Sequence, residues 1–160
     1  MRSHRVLATS ATIAALTLAF WAGGQNAKAP VPPITLERVV DGDTAYVFYQ
    51  HPTPVHTKLR FLRINTPERG QPLYKEATQA LKNILTGKKL TLEFEKQDKY
   101  ETDRYGRALV YVFAGDLNVN VEMVRLGWSK HYVKYGTGKY KALFEAAEKE
   151  AREAKRGLWK

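Results

Sequence analysis

The chain has 160 residues, with 26 Lys and Arg against 16 Asp and Glu, a formal net charge of +10 and no cysteine. Its length favours a single domain, and 44% hydrophobic with 26% charged residues is typical of a globular protein and excludes wholesale disorder. The lack of cysteine excludes a disulfide framework, a cysteine-ligated metal and a thiol nucleophile, while the charge points to a polyanionic partner: nucleic acid, acidic polysaccharide or anionic membrane.

The N-terminal segment has the pattern of a secretory signal. Two arginines within the first five residues precede an uncharged stretch, residues 6–22, that is rich in Ala, Leu and Thr. Small residues that suit a signal peptidase follow at 22–24 and at 27–29. A membrane anchor that stays uncleaved is the alternative, because a stretch of this length is at the lower limit of a membrane span.

We therefore expect residues 1–29 to form an export segment and residues 30–160 to form the domain. The protein would then be secreted or periplasmic. The export segment holds three basic residues and no acidic one, so the domain keeps a net charge of +7. A polyanionic partner is consequently predicted for the domain itself.

Five short strands are predicted in the domain, with helices after the third and the fifth. Strands are indicated by β-branched and aromatic residues or by alternating polarity, and Asp-Gly at 41–42 marks a tight turn. Helices are indicated by apolar residues at helical spacing, with Asn120 as the N-cap of the second. The strands are expected at 34–40, 44–49, 58–64, 90–95 and 108–114, a loop at 50–57, and helices at 73–85, 120–126 and 140–155.

Strands this short protect their edges best by closing into a small barrel. The predicted fold is therefore α+β, a five-stranded OB-fold β-barrel with three α-helices.

The first candidate site is the acidic turn from Asp41 to Thr44. Its carboxylates could cap backbone amides of a hairpin, which is a common role for Asp-Gly turns. They could also belong to a site for a hard cation, because oxygen ligands suit Ca²⁺. The turn alone leaves both interpretations open.

The second candidate is the segment from Arg60 to Glu68. Alternation in the predicted strand places Arg60 on an otherwise apolar face, which suggests a cation that meets a partner there. Asn65, Thr66 and Glu68 offer an amide oxygen, a backbone carbonyl and a carboxylate, a reasonable half of a Ca²⁺ shell. A surface arginine followed by a proline turn is the alternative.

Two further segments combine cations with aromatic residues. Within residues 102–107, Arg107 could bind phosphate oxygens bidentately and Tyr105 could stack on a base. A charged β-turn is the alternative there. Residues 130–135 interleave Lys with aromatic residues, which suits a groove for single-stranded nucleic acid but also a protein core. None of the four histidines has the spacing of metal ligands.

Together these segments supply one candidate for each requirement of phosphodiester hydrolysis. The reaction needs neutralised charge at the transition state, a positioned water and a group that accepts its proton. A cation can polarise a phosphoryl oxygen, arginines can hold the others, and a carboxylate can activate the water. We therefore predict a metal-dependent phosphodiesterase. A catalytically weak or silent OB-fold protein that only binds nucleic acid is the alternative.

Residues 34–159 resemble the thermonuclease family, the staphylococcal nuclease-like proteins. Three motifs occur in the family's order: VVDGDT, LRFLRINTPE and TDRYGRALVYV. The resemblance extends to VNVEMVRLGW and to the closing helix with GLW. It implies an OB-fold barrel with three helices and an exported endonuclease that hydrolyses DNA and RNA with Ca²⁺, leaving 3′-phosphate ends. The substrate would be single-stranded or locally open, and we expect a monomer.

The resemblance also implies roles for individual residues at the matching positions. Some would ligate Ca²⁺, some would activate water or bind the reacting phosphate, and some would contact the nucleotide. The implied metal ligands are Asp43, Asn65 and the carbonyl of Thr66, the catalytic residues Arg60, Glu68 and Arg107, and the nucleotide contacts Tyr105, Tyr132 and Tyr135.

One position departs from the family pattern, because the family usually has Asp where this chain has Asn65. An amide oxygen can still ligate Ca²⁺, but the site has one formal negative charge fewer. Since ligand charge tunes Ca²⁺ affinity, we expect weaker binding than in a three-carboxylate site. Asp41 is close enough in sequence to compensate in part.

Overall fold

The computed structural model describes residues 34–51, 53–96 and 99–160. The predicted export segment, residues 1–29, lies outside these ranges. Within the described ranges, no helix is both long enough and apolar enough to cross a membrane.

Five strands form a closed barrel, which confirms the predicted α+β fold. Neighbouring strands pair antiparallel in the order β3-β2-β1-β4-β5, and a parallel pairing of β3 with β5 closes the barrel. A sixth strand of two residues extends β5 as a hairpin. The strands are β1 Ile34–Asp41, β2 Thr44–His51, β3 Thr53–Phe61, β4 Leu90–Glu93, β5 Ala108–Ala114 and β6 Leu117–Asn118.

Three α-helices pack around the barrel and cover its core. Each buries one apolar face, as with Ala77, Leu81 and Leu85 on the first helix, because apolar residues recur at helical spacing. Tyr111 on β5 is the largest of the fully buried side chains. The helices are α1 Tyr74–Leu85, α2 Val119–Arg125 and α3 Lys141–Glu153, followed by a 3₁₀ turn at Gly157–Trp159.

The β2–β3 hairpin is longer than predicted, so the expected loop at 50–57 is wrong. The two strands pair continuously from Thr44↔Arg60 to His51↔Thr53. The two prolines in this stretch suggested a loop. However, β3 pairs with β5 only through Leu59–Phe61, so the rest of β3 is an edge, where proline is tolerated.

The third strand ends at Phe61, three residues earlier than predicted. Leu62 and Arg63 form a turn, in which Arg63 takes a left-handed backbone conformation with φ of 62°. The Arg63 carbonyl accepts a hydrogen bond from Tyr132 N at 2.8 Å, which holds this turn against the loop before α3. Asn65 and Thr66 therefore lie in a loop that starts at the end of β3.

The sequence predicted Asn120 as the N-cap of α2, and this prediction is wrong. Asn118 caps this helix, and its side chain accepts a hydrogen bond from Val121 N at 3.2 Å. Asn120 is fully buried instead. Its amide accepts a bond from Val112 N at 2.9 Å and donates to the carbonyls of Leu62 at 2.9 Å and Val110 at 3.1 Å.

Candidate active site

The acidic turn, Arg60 and Arg107 come together where the barrel strands end. The turn joins β1 to β2, and Thr44 at the start of β2 pairs with Arg60 of β3. The parallel pairing then places Leu109 of β5 opposite Arg60. Arg107 directly precedes β5, so one corner of the barrel holds residues that are far apart in sequence.

Asp43 is the buried carboxylate of this corner, with only 5% of its surface exposed. Its Oδ1 accepts a hydrogen bond from Thr44 Oγ1 at 3.0 Å, and its Oδ2 accepts one from Thr66 N at 3.1 Å. Asp41 Oδ1 accepts a bond from the backbone N–H of Asp43 at 3.0 Å. Asp41 thus performs the capping role expected of an Asp-Gly turn, whereas Asp43 faces the site.

Burial raises the pKa of Asp43 to about 6, even though Arg60 acts in the opposite direction. The nearby charge of Asp41 contributes to this raised pKa, and the hydrogen bonds from Thr66 and Thr44 oppose it. Because the carboxylate is desolvated and near another anion, additional positive charge beside it would be strongly favoured.

Gly42 is required by the close contact between this turn and the loop after β3. A Cβ atom at position 42 would come within 2.7 Å of Thr66 Oγ1. Real Cβ atoms do not approach so closely, so any other residue here would displace Thr66 from Asp43. The lack of a side chain at Gly42 therefore allows two of the predicted metal ligands, Asp43 and Thr66, to lie in contact.

Arg60 joins the two predicted ligand side chains. Its Nη2 lies 3.2 Å from Asp43 Oδ2 and 3.2 Å from Asn65 Oδ1, and it donates to the Ile64 carbonyl at 2.8 Å. Three oxygen atoms from separate residues thus surround one cationic nitrogen. The carbonyl in this set belongs to Ile64 and not to the predicted ligand Thr66, and the described residues contain no cluster of three or more His, Cys, Asp or Glu that could hold a metal ion. The carboxylate of Asp43 and the amide oxygen of Asn65 are ligand types that Ca²⁺ takes, so these two residues fit a hard cation by their chemistry.

Arg107 reaches the same corner from the turn before β5. Its Nη1 lies 3.4 Å from Thr44 Oγ1, and Thr44 is itself bonded to Asp43. Asp103 orients the guanidinium, since its Oδ2 accepts from Arg107 Nε at 2.7 Å. The turn closes through a hydrogen bond from Gly106 N to the Asp103 carbonyl at 3.0 Å, so this segment forms the charged β-turn that the sequence offered as an alternative.

Thr44, Asp103 and Ser129 are the contributors that sequence reasoning missed. Thr44 lies in the motif VVDGDT and Asp103 in TDRYGRALVYV, but neither motif predicts the contacts that these residues make. Ser129 has no such signal. It is fully buried, accepts a hydrogen bond from Asn65 N at 2.8 Å, and lies 3.2 Å from the Asn65 carbonyl.

The remaining predicted residues form an outer rim: among the described contacts none of them is hydrogen-bonded to Asp43, Arg60 or Arg107, and Tyr132 is only partly exposed. Glu68 is exposed in the loop before α1, where its backbone N–H donates to Gln71 Oε1 at 2.8 Å. Tyr105 is 66% exposed, and its ring lies 5.5 Å from the Arg107 guanidinium. Tyr132 and Tyr135 contact each other edge-on at 6.1 Å, and the Tyr135 carbonyl accepts from Arg63 Nη1 at 2.6 Å.

Comparison with known protein families gives one match that covers more than half of the chain. The family model for the staphylococcal nuclease homologue matches residues 58–160. This range contains Arg60, Asn65, Glu68 and Arg107, and the acidic turn lies just before it.

Curated relatives align over about three quarters of the chain. A thermonuclease from Staphylococcus hyicus is 35% identical over an alignment of 128 residues that covers 76% of this chain and 72% of the relative. An uncharacterized endonuclease from Escherichia coli O157:H7 is 36% identical over 123 residues, 76% of this chain and 73% of the relative. A thermonuclease from Staphylococcus intermedius is 32% identical over 130 residues, with 78% and 74% covered.

Proposed function

Because the chain belongs to the family of staphylococcal nuclease homologues, we propose that it is a Ca²⁺-dependent nuclease that hydrolyses phosphodiester bonds of DNA and RNA. Relatives that carry the names thermonuclease and endonuclease support the nuclease activity. We further propose that the protein is exported by its N-terminal segment and acts as a monomer, leaving a 3′-phosphate and a 5′-hydroxyl. The basic domain and the signal-like N-terminus support these parts of the proposal.

One observation carries this proposal: the chain of contacts from Arg60 through Asp43 and Thr44 to Arg107. The three links measure 3.2 Å, 3.0 Å and 3.4 Å. Two guanidinium groups therefore flank one buried carboxylate at the barrel corner. This arrangement suits a phosphate whose negative charge increases in the transition state.

Each residue would contribute in its own way. Arg60 and Arg107 would donate hydrogen bonds to phosphate oxygens, with Asp103 fixing the Arg107 side chain. Glu68, at the exposed rim, would accept a proton from the attacking water. Asp43, Asn65 and the Thr66 carbonyl would hold the Ca²⁺, with Asp43 as the fixed charge. When bound, the ion would supply positive charge that polarises the phosphoryl oxygen.

The three predicted tyrosines would bind the nucleotide next to the scissile phosphate. Tyr105 presents its ring at the rim beside Arg107, where a base or sugar could pack on it. Tyr132 and Tyr135 form an aromatic pair on the loop that Arg63 holds. Since unpaired bases stack on aromatic side chains more readily than paired ones, we propose single-stranded or locally open nucleic acid as the substrate.

Cleavage of single-stranded DNA by the full chain, with Ca²⁺ or with a chelator, tests the proposal. We expect cleavage only with Ca²⁺. Glu68→Gln should lower kcat by about 10²- to 10⁴-fold, the usual contribution of a general base. Arg107→Ala should lower it by about 10²- to 10³-fold, as for loss of one transition-state donor.

Two matched variants complete this test. Glu145→Gln removes an exposed carboxylate on α3 that pairs only loosely with Lys141, at 3.7 Å, and should leave activity unchanged. Arg107→Lys keeps the charge but loses the bidentate geometry, so it should fall between wild type and Arg107→Ala. Binding of DNA without Ca²⁺-dependent cleavage would instead identify a silent nucleic-acid-binding barrel.

A further inference from the structure

A groove of about 770 Å³ lies between β1 and the C-terminal end of α1. Residues 34–39 of β1 form one wall, and Lys82 with residues 86–89 forms the other. We call this region the basic groove. None of the residues to which a role in the proposed reaction has been given lines it.

The basic groove carries positive charge that the surrounding protein leaves uncompensated. Arg38, Lys82, Lys88 and Lys89 line it, and within the described part of the chain none of them has a carboxylate within 4.0 Å. Glu37 is the single acidic residue of the lining, and His56 Nδ1 lies 2.7 Å from it. Most acidic residues of this domain pair with cations outside the groove. The groove therefore keeps an excess of positive charge, which attracts anions.

Arg38 is held in place by an aromatic ring. Its guanidinium lies 3.9 Å from the ring centre of Tyr46, and Lys58 Nζ lies 5.5 Å from the same ring. These residues are cross-strand neighbours on β1, β2 and β3. A stacked guanidinium keeps its edge free to donate to phosphate oxygens, and less side-chain freedom is lost on binding.

Stabilisation of α1 by cations near its C-terminus explains only some of the basic residues in the groove. Lys82 lies in the last turn of α1, where a cation interacts favourably with the helix dipole, whereas Lys88 lies three residues beyond the end of the helix. Arg38 lies on a strand, and Lys89 directly precedes β4, so the dipole gives no reason for either. The two walls therefore share a sign of charge, which suits a common anionic partner.

The position of the groove beside the acidic turn favours nucleic acid as that partner. Asp41 at the end of β1 is three residues from Arg38, about 10 Å along a strand, and the groove continues away from the site toward Ile34. We propose that the basic groove binds the phosphate backbone of single-stranded nucleic acid outside the active site, as an extension for the same strand that is cut. This inference rests on the proposed nuclease function, which supplies the strand.

Binding of fluorescent single-stranded DNA by the full chain, in chelator so that nothing is cut, tests the proposal. The groove variant is Arg38→Gln/Lys88→Gln/Lys89→Gln, and the three native side chains that it replaces are exposed. The matched control, Lys141→Gln/Lys149→Gln/Lys155→Gln, removes the same charge from exposed positions in α3 and just after it. Strands of about 4 and about 16 nucleotides span the range that one OB fold covers.

We expect the groove variant to bind the long strand more weakly than the control does, and the short strand equally well. Losing three phosphate contacts should reduce the slope of log K against log salt by about 2. Between about 50 and 200 mM salt, wild type should therefore lose about 20-fold more affinity for the long strand than the groove variant.

Three results would overturn the groove as a nucleic-acid site. These are equal long-strand binding by the groove variant and the control, equal losses on both strand lengths, and a loss confined to anionic vesicles or heparin. The nuclease proposal is judged separately, by Ca²⁺-dependent cleavage of the short strand. A groove effect without any cleavage would contradict the nuclease and leave the groove intact.

Discussion

At the scale of single residues, Asn65 sets the charge of the proposed metal site. Its amide oxygen lies 3.2 Å from Arg60 Nη2, among oxygens that fit a hard cation. Restoring a carboxylate by Asn65→Asp should tighten Ca²⁺ binding, by about tenfold if the gain is near 1.4 kcal/mol. Calorimetric titration of both proteins with Ca²⁺ measures this. Equal affinity would show that Asn65 does not ligate the ion.

Ser129 is a positioning residue that holds Asn65 through its backbone. Its hydroxyl accepts from Asn65 N and is buried, so no water replaces it readily. Ser129→Ala should cost about 1–3 kcal/mol of stability and weaken Ca²⁺ binding, because a buried N–H loses its partner.

The Ca²⁺ titration separates positioning from simple destabilisation when it is done well below the unfolding temperature. Ser129→Thr retains the hydroxyl and should restore the affinity in part. If Ser129→Ala lowers stability but binds Ca²⁺ as wild type does, Ser129 is only structural.

At the scale of elements, α2 is attached to the barrel by Asn120. Loss of this amide leaves Val112 N and the Leu62 carbonyl without their buried partner. Asn120→Ala should therefore cost about 2–4 kcal/mol of unfolding free energy. Asn118→Ala, which removes only the helix cap, should cost about 1 kcal/mol.

Urea denaturation of the two asparagine variants distinguishes these roles directly. Asn118→Ala serves as the control, since both substitutions remove the same side chain within one turn of chain. A larger loss of unfolding free energy for Asn118→Ala than for Asn120→Ala would contradict the role of Asn120 in attaching α2 to the barrel.

The same elements show what sequence patterns can and cannot predict here. Alternation in residues 90–95 and helical spacing in residues 73–85 depend on neighbours in the chain, so both elements were predictable, although β4 ends at Glu93, two residues earlier than predicted. The length of β3 depends on whether residues 53–58 form an edge, and that is decided by β5. Asn120 and Ser129 bond to groups distant in sequence, so no local pattern reveals their contacts. The motifs indicated Asp43, Arg60 and Arg107, but not that Thr44 links them.

At the scale of the whole molecule, Glu95 joins four parts of the fold. Its carboxylate accepts hydrogen bonds from Tyr111 at 2.6 Å, from Arg63 at 3.0 Å and from Lys139 N at 2.9 Å. Burial acts to raise the pKa of Glu95, but the hydrogen bonds from Tyr111 and Arg63 outweigh it and hold the pKa below its ordinary value of 4.5.

The pKa of Glu95 is lower in the folded protein than in the unfolded chain. The stabilisation that the Glu95 network gives is therefore fully present above about pH 4.5, and it is lost as the pH falls through the folded-state pKa. Glu95→Gln should cost about 2 kcal/mol at pH 7 and show a shallower fall in stability between about pH 5 and pH 3. Thermal unfolding across this range measures both effects, with Glu145→Gln as the control. Parallel pH profiles for wild type and Glu95→Gln would contradict this role.

The parallel pairing of β3 with β5 also governs when the site can form during folding. β1, β2 and β3 form consecutive hairpins with local contacts, whereas β5 pairs with β3 across an intervening segment of the chain that contains α1 and β4. Non-local closure of this kind is entropically costly and comes late in folding. Asp43 and Arg60 can meet early, but Arg107 joins them only with β5. Catalytic competence should therefore appear together with barrel closure, and a partly folded chain would lack one of its two phosphate-binding arginines.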